Sequence, residues 1–194
     1  MSGPLAEALP KPGARASLGR RLAWLERLER VDQGLLLRVR RLESRLATRL
    51  LRALTHLGDP ASWIVVCLAL AGSGGNGPRQ AELLATAALG ALALSQALKR
   101  IWHRPRPAAS QIHGFSALIE SPDAFSFPSG HTAVAFAIAA ALLGEGPGLG
   151  GLMLGLAPGI AASRVYLGAH YPLDVLAGAL VGTAVGLAVR FFVG

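Results

Sequence analysis

Apolar and polar positions follow two regimes along the chain, and the change between them falls near Gly58. Before it, leucines recur at helical spacing among arginines. Leu18, Leu22, Leu25 and Leu28 form one stripe, and Leu35, Val39, Leu42, Leu46, Leu50, Leu54 and Leu57 form a second, with Arg38, Arg41, Arg45, Arg49 and Arg52 on other faces. The pattern predicts one or two amphipathic helices lying on a membrane, although a soluble bundle face would show the same stripe. Met1 to Ala16, rich in Pro, Gly and Ala and without periodicity, is expected to be a mobile tail.

After Gly58-Asp59-Pro60 the polar positions thin out. Ala61 to Gly72 is strongly apolar but short of the roughly twenty residues a span needs, so it either borrows residues from before the break or does not cross cleanly. Ala81 to Leu98 is a convincing span. Thr132 to Leu143, Leu152 to Ala162 and Leu173 to Val193 follow, separated by glycine-rich turns and by the polar connection Pro107 to Phe127, long enough to be a substrate-side loop. The fold expected is all-α: an integral-membrane bundle of about five transmembrane helices (58–194) preceded by a basic tail and amphipathic interfacial helices (1–57). Its place would be the cell membrane, as a multi-pass protein.

Composition agrees with that class. Only 15% of the 194 residues are charged, and the mean hydropathy is +0.46. The formal charge of +8 is concentrated in Met1 to Leu57, where twelve Lys and Arg face five Asp and Glu. Interleaved with leucines and joined to membrane spans, this arm is expected to meet the bilayer and its anionic headgroups rather than nucleic acid. The single cysteine, Cys67, excludes an intrachain disulfide, and the first thirty residues lack the apolar core of a cleavable signal peptide.

Candidate chemistry collects where apolar runs end. Lys99 to Pro107, KRIWHRPRP, puts Lys99 and Arg106 seven residues apart, with Pro105 and Pro107 breaking the helix so that both cations can converge on one anion. Pro128-Ser129-Gly130-His131 stands where a helix should begin, offering unpaired N–H groups, the Ser129 hydroxyl and close backbone approach at Gly130. Ser163-Arg164 closes another run, and His170 and Asp174, four apart, can share a face, with Asp174 fixing the tautomer of a nucleophilic imidazole. Each feature alone has an ordinary explanation: snorkelling cations, a common helix start, a capping aspartate. Together they suggest one phosphate as the shared partner, since ionisable groups in membrane helices cost about 2.5 to 3.5 kcal/mol on insertion scales and usually have partners.

The three stretches resemble the motifs of the type-2 phosphatidic acid phosphatase superfamily: Lys, six residues, Arg-Pro; Pro-Ser-Gly-His; and Ser-Arg, five residues, His, three residues, Asp. All three stand here complete and in order. The resemblance covers roughly Ala81 to Phe192 and not the N-terminal arm. It implies that Lys99, Arg106 and Arg164 hold the phosphate with Ser129 and the Gly130 amide. It also implies that His170, oriented by Asp174, attacks phosphorus to form a phosphohistidine, and that His131 protonates the leaving oxygen, with no metal or cofactor. The expected substrate is a lipid phosphate or diphosphate, foremost an isoprenoid diphosphate such as undecaprenyl diphosphate, with phosphatidate, phosphatidylglycerophosphate and lipid A phosphate open and a catalytically silent membrane scaffold as the rival. Arg100 and Arg104 lie outside the motif and are expected to serve a second phosphate or headgroups; His56, His103 and His113 have no motif role.

Overall fold

The computed structural model describes residues 12–110, 112, 115–121, 123–145 and 148–193, with side chains from residue 23 onward. Among these residues the chain forms seven α-helices: α1 (Pro12–Arg40), α2 (Arg45–Leu57), α3 (Pro60–Ala71), α4 (Gly77–Trp102), α5 (Gly130–Ala141), α6 (Leu149–Tyr166) and α7 (Pro172–Phe192). A short 3-10 turn lies at Pro107–Ala109. The expected tail lies outside the described residues up to Lys11. From Pro12 it is already helix, since proline is tolerated in a first turn where its missing N–H would be unpaired.

The second leucine stripe is divided between two helices. Ser44 starts α2, its hydroxyl accepting from the Ala47 N–H at 3.2 Å, which satisfies one of the orphan donors of a helix start. Leu42, Leu46, Leu50 and Leu57 remain exposed, so much of the stripe faces away from the protein. Asp59 and Pro60 then bend the chain by 55° between α2 and α3.

By length and composition α4 and α7 can each cross a membrane alone, and α2 with α3 can do so only as a bent pair. The twelve residues of α5 extend about 18 Å, less than the roughly 30 Å of a hydrocarbon core. This helix is nevertheless the centre of the molecule, packed by α4, α6 and α7. Its close neighbour is α7, whose Gly178, Gly182 and Gly186 recur every four residues against the α5 backbone. A Cβ at Gly182 would overlap the Ala133 carbonyl, and one at Gly178 would come within 2.5 Å of the Ser129 carbonyl oxygen. Small residues at this spacing let membrane helices approach closely, and Asp174 lies one turn further along the same stripe.

Candidate active site

Four helix ends meet at one end of the bundle: the last turns of α4 and α6 and the first turns of α5 and α7. Helix α4 stops at His103, whose φ of 47° gives it a left-handed cap closed by its N–H on the Lys99 carbonyl. The chain beyond is pinned by a bridge between Pro105 and Phe125 and by the Ser126 N–H on the Arg104 carbonyl at 2.8 Å. These contacts bring Arg106 back beside Lys99.

A cleft of about 760 Å³ opens there. Lys99, Arg106, Gly130, His131, Arg164 and His170 line its polar end; Trp63, Ile64 and Leu68 of α3 with Leu84, Leu89 and Leu92 of α4 line the other. Ile64, Leu68 and Leu89 are also exposed on the outer surface, so the apolar end opens sideways between α3 and α4. Lys99 and Arg164 are almost wholly buried, at 4% and 3% exposure. The Arg164 guanidinium donates to the Thr55 hydroxyl at 2.7 Å, while its Nε has no partner among the described residues. A buried donor left open beside two further cations is what an incoming anion can satisfy.

His170 is buried, with Nε2 3.2 Å from the Arg106 guanidinium and Nδ1 2.7 Å from the Ser126 carbonyl oxygen. Asp174 approaches Nδ1 only to 3.8 Å. The group at hydrogen-bond distance is therefore a backbone carbonyl, which can only accept and so leaves Nε2 as the ring's lone-pair nitrogen toward Arg106. Burial, reinforced by the charges of Arg106 and Arg164, pushes the His170 pKa down to about 4, leaving the ring neutral at pH 7. Asp174 is tied elsewhere: one oxygen accepts from the Tyr171 N–H at 2.9 Å and the other from Arg104 at 2.6 Å.

His131 lies at the start of α5 with Nε2 2.8 Å from Asp59, whose other oxygen meets His56 Nδ1 at 2.9 Å. Ser129 caps the same helix but is fully buried, its hydroxyl paired with that of Thr132 at 3.0 Å and outside the cleft lining. Of the eight residues singled out from sequence, six thus share one cleft. Ser129 and Asp174 stand behind it.

Residues 81–193 match the PAP2 superfamily. The chain belongs to that superfamily. It is 37% identical over 138 residues to decaprenylphosphoryl-5-phosphoribose phosphatase of Mycobacterium tuberculosis, spanning 70% of this chain and 74% of that protein. It is 41% identical over 92 residues to the putative undecaprenyl-diphosphatase YbjG of Escherichia coli, spanning 47% and 46%. Among solved structures, Aquifex aeolicus LpxE superposes with a TM-score of 0.73 at 27% identity, over 84% of this chain and 96% of that one.

Several groups in this PAP2 site carry no motif signal. Asp59 reads in sequence only as part of a helix break, and Ser126 acts through a carbonyl that every residue possesses. Asp123 lies in the loop after α4, three residues beyond Glu120 and in no motif, yet it meets both Lys99 and Arg106. Arg104, expected to face a second phosphate or headgroups, is instead turned inward. It bridges Asp174 to the fully buried Asp32 of α1 at 2.6 and 2.7 Å, and its guanidinium lies 4.2 Å above the Tyr171 ring. Asp32 also accepts from the Leu173 N–H at 2.9 Å, so the N-terminal arm is joined to the start of α7. Arg100 is exposed, His56 lines the cleft, His103 caps α4, and His113 lies outside the described residues.

Proposed function

We propose that the chain is an integral-membrane phosphatase that removes phosphate from a lipid phosphate or diphosphate, with an isoprenoid diphosphate such as undecaprenyl diphosphate as its leading substrate. The observation that carries this reading is one cleft holding three cations and two histidines at one end and a laterally open apolar wall at the other. A lipid headgroup fits the first and its chain the second. The relatives named for decaprenyl and undecaprenyl lipids support a polyprenyl chain.

In the proposed mechanism Lys99, Arg106 and Arg164 hold the terminal phosphate with the Gly130 amide at the positive end of α5. Nε2 of His170 attacks phosphorus, the bond to the lipid oxygen breaks, and His131 supplies that oxygen with a proton. Water then attacks the phosphohistidine and frees inorganic phosphate. Asp174, through Arg104 and the Tyr171 amide, supports the segment that carries His170, and Ser129 supports the start of α5. Cationic side chains and amides supply the electrostatic stabilisation, so the scheme uses no metal or cofactor.

The same reading makes the protein a multi-pass membrane protein of the cell membrane, with α5 and α6 completing about five spans in a domain over residues 58–194. The arm over 1–57 would rest on anionic headgroups, a role supported by exposed Trp24, Leu25 and Val31 on a helix that also carries Arg27, Arg30 and Arg38.

The test is phosphate release by the purified full chain in detergent with chelator present, from farnesyl or undecaprenyl diphosphate, phosphatidate, phosphatidylglycerophosphate and lipid A phosphate. Chelator-resistant release that falls by ~10,000-fold in His170→Ala is expected, with the preferred lipid naming the substrate. No release from any lipid would favour a binding scaffold, and release indifferent to His170 would overturn the nucleophile assignment.

A further inference from the structure

The anion position between Lys99 and Arg106 is occupied by the chain itself. Lys99 Nζ donates to one carboxylate oxygen of Asp123 at 2.6 Å, an Arg106 terminal N–H donates to the other, and Arg106 Nε donates to the Asp123 main-chain carbonyl at 2.8 Å. Both oxygens thus sit on the two cations assigned above to a phosphate. Burial works against the charge on Asp123, but the hydrogen bonds from Lys99 and Arg106 outweigh it and hold the carboxyl below its ordinary range. The side chain is 32% exposed, whereas that of Lys99 is 4% exposed, so the carboxylate covers the cations from the cleft side.

This occupant is an incomplete phosphate. A carboxylate carries one charge and two oxygens, and it leaves the buried Nε of Arg164 without a partner among the described residues. A phosphodiester headgroup also carries one charge and two non-bridging oxygens. Displacing a tethered carboxylate, whose effective concentration is high, brings such a ligand no additional charge or donor. A terminal phosphate brings two charges and three oxygens, enough to meet Lys99, Arg106 and Arg164 together.

We propose that Asp123 is an internal competitor that sets an affinity threshold on this site: its carboxylate fills the phosphate cradle of the free protein and weakens every anion by the same factor, so that dianionic terminal phosphates still bind while the weaker phosphodiester lipids around the cleft mouth do not. The inference rests on reading the cleft as a lipid phosphate site. It makes the bilayer's own anionic diesters poor competitors without any steric gate.

The experiment compares the full-length protein with Asp123→Asn and Asp123→Glu in detergent. Two probes are used, orthovanadate as a phosphate analogue and dioctanoylphosphatidylglycerol as a diester. Each is measured by calorimetric binding and as an inhibitor of farnesyl diphosphate hydrolysis. Asparagine keeps the shape and removes the charge. In Asp123→Asn both probes should bind at least about tenfold more tightly and by similar factors, because an internal competitor weakens every ligand alike, while Asp123→Glu restores resistance to both. Unchanged or weaker binding of both probes would overturn the proposal, because a residue that merely held Lys99 and Arg106 in place would weaken binding when removed. Should Asp123→Asn fold poorly, Asp123→Ser must show the same direction of change. Wild-type protein that binds the probes but hydrolyses no lipid would refute the phosphatase reading and still decide the role of Asp123 from the calorimetry.

Discussion

Replacing Gly178 with alanine tests whether the spacing of α5 and α7 sets the active-site geometry. The added Cβ would lie 2.5 Å from the Ser129 carbonyl oxygen, 3.2 Å from Thr132 Cβ and 3.4 Å from the Ala133 nitrogen. Two of these neighbours are backbone atoms of the first turn of α5 and its cap, so no side chain can rotate away to make room. The helices must separate by about 0.5 Å to reach the shortest separation that real Cβ atoms show, 3.0 Å, and by about 0.9 Å to reach ordinary contact at 3.4 Å. Gly130 and His131 ride on α5, while His170 and Asp174 stand one to two turns before Gly178 at the start of α7. A shift approaching 1 Å between reacting groups costs up to about 100-fold in rate. The expected result is a fall of about 10- to 100-fold in kcat on farnesyl diphosphate, together with about 1 to 3 kcal/mol of lost stability from overpacking. Gly155→Ala on α6, where a Cβ meets nothing within 4 Å, is the control and should stay within about twofold. Wild-type kcat in folded Gly178→Ala would refute the argument that this contact positions the site.

Asp59→Asn should reduce hydrolysis of a lipid phosphomonoester by about 100-fold and of p-nitrophenyl phosphate by less than about tenfold, because in the proposed mechanism only the poor alkoxide leaving group needs the proton assigned to His131; equal losses on both would mean that Asp59 is merely structural. Asp32→Ala removes one partner of a buried ion network and leaves Arg104 under-paired, so a loss of about 3 kcal/mol in unfolding stability is expected; an unchanged melting temperature would show that the arm is not anchored to α7 through this residue. The His170 pKa is pushed from about 6.5 to about 4. Between those values the unfolded chain takes a proton that the folded chain refuses. Its contribution to stability is therefore complete above about pH 6.5 and lost as the pH falls toward 4, by about 2 kcal/mol at pH 5. Thermal unfolding at pH 5 and pH 7.5 should show a slope that flattens in His170→Gln, and an identical slope would contradict the buried neutral imidazole.

Much of this protein is legible along the chain. Helices α3 to α7 fall on the apolar runs between glycine and proline breaks, because removing apolar surface from water and pairing every backbone group leave a membrane segment few alternatives to a helix. Lys99, Arg106, His131, Arg164 and His170 stand out because charged and ionisable groups at the ends of such runs carry a cost that a partner must offset. The number of spans is less legible. The Asp59-Pro60 bend and the short α5 turn apolar runs into a broken pair and a buried central helix, and run length alone does not report what surrounds a helix.

The helical class, the order of the segments and the ionisable residues at the ends of apolar runs can be read along the chain, since they follow from local spacing and from the cost of placing charge in an apolar setting. Their partners depend on how distant segments pack. Asp123 reaches Lys99 across 24 positions, Ser126 reaches His170 across 44, Asp59 reaches His131 across 72, and Asp32 reaches Arg104 across 72. An acidic residue in a loop, or a carbonyl that every residue carries, has no periodicity to betray its target. Its role is set by the close approach of α5 to the α7 glycines and by the return of the chain after His103, and so by packing between segments that are distant along the chain.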